Sequence, residues 1–278
     1  MRLHVGCAMW THAAWQEWQP ASGDRLAAYA ARCNAVEGNT TFYAIPAVRT
    51  VESWAAQLTP EFRFLPKLHK SITHERRLTG ADEELRTFLS AIEPLGPSAH
   101  ALWIQLPSSF GPNDLGALAG FLRELPRSYR CAVEVRHPAF FENEQATRYL
   151  ERVLARVHVE WLTFDTTVLF DGLPTPAEQE AWSKKPRVPL RTRALTEYPI
   201  VRYHGRESTD RTVDGWQPWV AIVADWLREG RSPTVFLHTP NNADAVTLAR
   251  RFHAEVAARV PELDPLPEPA PTGPMTLF

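Results

Sequence analysis

A chain of 278 residues can bury one sizeable core, and a net charge of −2 with a pI of about 6.6 offers no bulk basic field to nucleic acid or a membrane surface. Cys7, Cys33 and Cys131 each fall in an apolar segment without metal-ligand spacing, which suits reduced thiols rather than a disulfide framework. No apolar run is long enough for a signal or membrane helix, so the expectation is a cytoplasmic protein with no membrane partner.

Short β-branched, apolar runs at 2–9, 33–39, 62–69, 100–106, 130–136, 159–165, 198–204 and 233–239 predict eight strands. Helix-periodic stretches separate them. Asp24 leads Leu26 to Ala30, and Val51, Trp54 and Leu58 share one face of 48–58. Asp82 opens Leu85, Phe88, Leu89 and Ile92, while Asp114 opens Leu115, Leu118, Phe121 and Leu122. Further helices are predicted at 143–155, 216–228 and 242–259. Eight strands, nearly every one followed by a helix, imply an α/β fold and a single (β/α)8 TIM barrel over 1–260. A doubly wound open sheet is the alternative, but no glycine-rich fingerprint follows any strand. The longest interruption, 166–197, comes after strand six. Its Pro174, Pro176, Pro186 and Pro189 bracket a helical piece at 177–184, so it reads as an insertion over the barrel mouth. Residues 261–278 open on prolines and acids and read as a disordered, proline-rich C-terminal tail.

Barrel active sites lie at the C-terminal ends of the strands. Those ends carry Trp10 with His12, Glu37 with Asn39, Lys67 with His69, Gln105, then Glu134, Arg136 and His137, Asp165, Arg202 with His204, and His238 with Asn241 and Asn242. Charges stay inside strands when they are paired or used by a ligand. A Glu134–Arg136 pair that only orients the core is the bland reading. The recurrence of such groups at every strand end favours a site. Lys67, Arg136 and Arg202 suit phosphate or carboxylate recognition. Glu134, Asp165 and Glu37 are candidate bases, with His204 as acid–base partner. Asn39, Trp10, Tyr43, Gln105, His137 and Asn241 complete the expected binding set. Loop cations, among them Lys70, Arg77, Lys184, Lys185 and Arg206, would make the mouth basic.

Several motifs carry a resemblance. They are Gly6-x-x-x-Trp10, Val36-Glu37-Gly38-Asn39-Thr40-Thr41-Phe42-Tyr43-x-x-Pro46, Phe62-x-Phe64-x-x-Lys67 with Ile72-Thr73-His74, Gln105-Leu106-Pro107-x-Ser109-Phe110, Val133-Glu134-Val135-Arg136-His137-Pro138 and Arg202-x-His204-Gly205. Together they resemble the signature of the YecE-like family, the domain of unknown function 72, across about residues 3–255. The resemblance implies a TIM barrel with a polar cavity and no settled activity. Ala8-Met9 stand where that family has Ser-Gly, and His238-Thr239-Pro240-Asn241-Asn242 where it has Phe-Asn-Asn.

Three functions fit this pattern. One is an enzyme on a phosphate-bearing substrate, a nucleotide or nucleic acid, needing no cofactor. Another is a divalent-metal enzyme similar to sugar isomerases or apurinic endonucleases, with Glu134, Asp165, His204, His69 and His238 as ligands; the three strand-end cations oppose a bound metal by repulsion. The third is a non-catalytic ligand-binding or clamp-associated scaffold. The terminus Pro274-Met275-Thr276-Leu277-Phe278 resembles the short peptide by which bacterial repair proteins dock on the DNA sliding clamp, with Met275, Leu277 and Phe278 as anchors and Pro274 where that motif has Gln.

Overall fold

The computed structural model describes residues 1–269. Each run expected to be a strand holds one: β1 (His4–Cys7), β2 (Ala35–Gly38), β3 (Arg63–Pro66), β4 (Leu102–Gln105), β5 (Cys131–Glu134), β6 (Glu160–Trp161), β7 (Thr163–Asp165), β8 (Ile200–His204) and β9 (Thr234–His238). The helices are α1 (Arg25–Ala30), α2 (Thr40–Tyr43), α3 (Val48–Ala55), α4 (Asp82–Ile92), α5 (Leu115–Glu124), α6 (Ala139–Glu142), α7 (Glu144–Ala155), α8 (Pro176–Lys184), α9 (Thr209–Arg228) and α10 (Ala245–Ala257). None of them is long and apolar enough to cross a membrane, among the described residues.

The expectation of one closed eight-stranded barrel is corrected by the ladders. All pairs are parallel, but they form a six-stranded sheet, β3-β2-β1-β9-β8-β7, and a three-stranded sheet, β4-β5-β6. Two local causes separate them. Between β3 and β4 only the bridges Phe64↔Ala99 and Lys67↔Trp103 form, with His100 N donating to Phe64 O and Leu68 N to Trp103 O. The bond between those two would need the N–H of residue 66, which is proline and has none. The predicted strand 159–165 also changes partner midway. Glu160 and Trp161 pair with β5, and after Leu162 the chain pairs with β8.

Side chains alternate across the strands. Outward residues such as Val36, Phe64, Ile104, Val133, Val201, Tyr203 and Val235 pack under the helices in the main core. Inward residues from both sheets, Ala35, Leu65, Ala101, Trp103, Ala132, Leu162, Ile200 and Phe236, form a second, smaller apolar cluster. At Gly6 a Cβ would lie 1.9 Å from Ala35 O, so only glycine lets β1 approach β2 this closely. Cys7, Cys33 and Cys131 are free and buried.

The insertion 166–197 holds α8, one residue longer than expected. Thr175 caps it, its hydroxyl accepting from Glu178 N while Glu178 closes the capping box onto Thr175 N. Arg206, after β8, grips this unit: its guanidinium meets Glu178 Oε1 at 2.9 Å and Oε2 at 2.6 Å and also donates to the Asp171 and Leu173 carbonyls. Residues 261–269, expected to begin the tail, pack on the body instead. Leu263 and Leu266 are buried, Asp264 N donates to Met1 O, and Arg250 pairs with Glu268 at 2.5 Å. The clamp-like residues Met275, Leu277 and Phe278 lie outside the described residues.

Candidate anion site at the strand ends

The inward row continues past the small apolar cluster by steps of two. Ala35 leads to Glu37, Leu65 to Lys67, Trp103 to Gln105, Ala132 to Glu134, Ile200 to Arg202 and His204, and Phe236 to His238. Because the period is two, every one of these polar groups points to the same, inner side of the strands. Glu37 and Glu134 have no exposed surface, and Lys67, Gln105, Arg202, His204 and His238 are buried.

Arg202 is the hinge of the network. Its Nε donates to Glu37 Oε1 at 2.9 Å, its NH1 lies 3.9 Å from Glu134 Oε2, and its guanidinium sits between the rings of Trp103 and Phe164 at 5.3 and 5.4 Å. Glu37 also receives a bond from His238 Nε2 at 2.5 Å and one from Asn39 Nδ2 at 3.0 Å. Glu134 accepts from Arg136 Nε at 2.6 Å and from Trp103 Nε1 at 3.1 Å. Lys67 Nζ lies 4.1 Å from the centre of the Trp103 ring and donates to Gln105 Oε1 at 3.2 Å. The ring of His204 stacks on His238 at 4.3 Å, and its Nε2 is buried without a partner.

Burial and charge act against each other on these groups. Burial alone would raise Glu37, but Arg202, His238 and Lys67 hold its carboxyl well below the usual range; Glu134 is likewise held down by Arg136 and Arg202. Burial opposes the Arg202 charge, yet the two carboxylates more than offset it and keep its pKa raised. Burial, with Arg202 beside it, lowers Lys67 to about 7, Glu37 and Glu134 offsetting only part of this. Burial also keeps His204 well below its ordinary value and takes His238 to about 4, so both imidazoles are neutral at pH 7.

The other expected residues separate into two groups. Arg136 is half-buried at the entrance, and Asn39 braces Glu37 while donating to Ala8 O at 2.7 Å. Asp165 faces away from the cluster. Its Oδ2 accepts from Trp219 Nε1 on α9 at 2.7 Å and its Oδ1 from Thr167 N at 2.8 Å. Trp10 packs outward on Trp54 and Phe64. His69 braces Ser71 Oγ and Tyr43 O, His137 caps Ala139 N, and Asn241 accepts from Ala243 N in its own turn. Tyr43 is 71% exposed at the rim. The alternative metal set Glu134, Asp165, His204, His69 and His238 is thus dispersed. Among the described residues, no group of three or more His, Cys, Asp or Glu side chains is placed to hold a metal ion.

Sequence reasoning passed over three participants, Trp103, Phe164 and His74, and named a fourth, Lys185, only among the loop cations expected at the mouth. Trp103 and Phe164 supply the aromatic walls, and His74, half-buried, feels Arg136 and Glu134. Lys185, at the end of α8, reaches the same field: burial lowers its pKa to about 8, with Arg202 and Arg136 lowering it and Glu37 and Glu134 raising it. For His74 the signal was present in the Ile72-Thr73-His74 motif. Lys185 comes from the insertion, where no strand phase marks which cation turns inward. The larger surface cavities lie elsewhere: one of about 710 Å3 is lined by Met9, His12, Gln16, Gln19 and Arg25, and another, of about 580 Å3, lies between α7 and Arg193. Its lining is solvated charge, whereas the strand-end cluster joins buried charge to an unpartnered donor or acceptor.

A family model described as "Protein of unknown function DUF72" matches residues 4–273. The chain is 34% identical over 266 residues to the UPF0759 protein YecE of Escherichia coli O157:H7 and to that of strain K12, covering 95% of this chain and 96% of each relative. Two crystal structures of a DUF72 family protein from Enterococcus faecalis V583 align with a TM-score of 0.66, at 17% and 18% identity. They cover 98% and 94% of this chain and 100% and 98% of their own. At that identity the likeness concerns the fold.

Proposed function

The chain belongs to the DUF72 family of proteins of unknown function, and on that premise we propose that its strand-end cluster binds the anionic end of a small phosphate-bearing molecule, as the substrate site of an enzyme. The observation that carries this reading is the imbalance of the cluster. Lys67, Arg136, Arg202 and Lys185 face only Glu37 and Glu134, and the unpartnered His204 Nε2 sits in the field of Arg202, Lys185 and Arg136. A phosphate group would neutralise the excess and give that nitrogen an oxygen to bond. The enclosure favours a small phosphorylated compound, or a nucleotide entering phosphate first, over duplex nucleic acid. In catalysis Glu134 and Glu37 hold the charges, and neutral His204 carries a proton between ligand and cluster.

Isothermal titration with inorganic phosphate and sugar phosphates tests the reading. Binding should weaken at least tenfold in Arg136→Met, whose partner Glu134 keeps Trp103 and Arg202, and several-fold in Lys185→Met. Equal affinities in wild type and both variants would sink the proposal. Unfolding of Arg136→Met would instead mark the Arg136–Glu134 pair as structural, since orphaning a buried charge costs about 3–5 kcal/mol.

A further inference from the structure

Lys67 is poorly provided for as an ammonium. It has three N–H donors, and its hydrogen bond goes to a neutral amide, Gln105 Oε1 at 3.2 Å. The nearest carboxylate oxygen, Glu37 Oε2, is 3.7 Å away and already holds Asn39. Glu37 Oε1 is taken by Arg202 and His238. The indole face of Trp103 attracts the ammonium but accepts no strong hydrogen bond from it, and Arg202 stands close enough to repel a positive charge on it. A lysine placed only to attract an anion would gain from full charge and solvent. This one is arranged so that its neutral form is accessible, which is what a nucleophilic amine requires.

We propose that Lys67 forms an imine with its ligand, and that the ligand is therefore a small phosphorylated aldehyde or ketone; this rests on the anion-site reading above. Arg136, Lys185 and Arg202 hold the phosphate, leaving the carbonyl carbon to meet Nζ. The ammonium first gives up a proton. The nitrogen lone pair then bonds to carbon, the carbonyl π pair moves to oxygen, that oxygen takes up the released proton, and the nitrogen, now positive, gives up a second proton to leave a neutral carbinolamine. That second proton reaches the hydroxyl, water leaves, and the nitrogen lone pair closes the C=N bond. Ammonium plus carbonyl becomes iminium plus one water, so atoms and charge balance with no further reactant. In its iminium form the product carries a positive charge at nitrogen. Glu37 and Glu134, both held ionised, are the groups that would stabilise it.

The full chain, incubated with glyceraldehyde 3-phosphate, dihydroxyacetone phosphate or 2-deoxyribose 5-phosphate and quenched with sodium borohydride, should gain the mass of the reduced adduct on the peptide containing Lys67. Trapping should fall at least tenfold with the unphosphorylated counterparts and with excess inorganic phosphate. Lys67→Arg should lose the adduct, while Lys70→Arg, at an exposed lysine outside the cluster, should keep it. Phosphate binding by the wild type without any adduct at Lys67 overturns the imine and leaves the anion reading standing. Adducts spread over exposed lysines such as Lys70 and Lys184 overturn it equally. Absence of phosphate binding removes both.

Discussion

Asp165 shows what one residue of phase does to chemistry. It ends β7 beside Phe164, and the two point to opposite sides: Phe164 joins the cluster at 4.9 Å from the His204 ring, while Asp165 ties α9 to the sheet through Trp219. Asp165→Asn should leave phosphate affinity within twofold and lower stability by about 1–3 kcal/mol, because an amide cannot accept from both Trp219 and Thr167. Urea denaturation with calorimetry checks this; lost binding at unchanged stability would contradict the outward placement. The run 159–165 concealed that phase. Val159, Trp161, Thr163 and Asp165 form one alternate set and Glu160, Leu162 and Phe164 the other, and each set mixes apolar groups with a carboxylate. In 200–204 the phase was legible, since Arg202 and His204 share one set while Val201 and Tyr203 share the other. Trp103 and Phe164 were hidden for another reason: an aromatic that walls a site and one that fills a core look alike until its neighbours are known.

At the level of elements, the strand runs and most helices could be read from periodicity, but the way the strands join could not. Pro66 was visible in the run 62–69, and its missing donor removes a bond from the ladder between β3 and β4, where the register also slips by one residue between Phe64↔Ala99 and Lys67↔Trp103. The partner change at Leu162 leaves no such mark. The insertion is held from one side by Arg206, so Arg206→Met should release α8 while the sheets stay folded. Limited trypsin digestion should then cut after Lys184 at least tenfold faster than in wild type, and phosphate affinity should fall as Lys185 leaves the entrance. Unchanged digestion would show that packing of Trp182 against Phe170, rather than the buried ion pair, holds the segment.

Across the whole molecule, five buried histidines set the response to acid, and half-buried His74, also lowered by burial and Arg136, adds to them. Burial holds His4 and His100 down to about 2, His238 and His253 to about 4, and His204 well below its ordinary value of 6.5. Unfolded, each takes a proton near pH 6.5, so unfolding binds protons below that pH and stability falls as pH drops towards 4. Each histidine contributes a slope of about 1.4 kcal/mol per pH unit. Glu37, whose folded pKa is depressed, adds to the loss once pH falls below its unfolded value of 4.5. The urea midpoint should therefore decline steeply between pH 6.5 and 5; a flat profile would mean these imidazoles protonate without unfolding. The chain end carries a separate prediction. Because 261–269 pack on the body, they add no reach to clamp binding through Met275, Leu277 and Phe278. We expect a synthetic 270–278 peptide to bind the sliding clamp of the same organism weakly, with a measurable heat at high micromolar peptide. No heat of binding at high micromolar peptide would end the idea.

The two-residue step of the inward row has a genetic consequence. Removing one residue upstream of Arg202 in β8 would turn Arg202 and His204 towards the helices and bring Tyr203 inside, exchanging site and scaffold in one event. Removing two would keep each side facing its own way and slide the row by about 6.6 Å. Drift in such strands should thus proceed by replacement or by paired gaps, and single-codon gaps should collect in the loops and in 166–197.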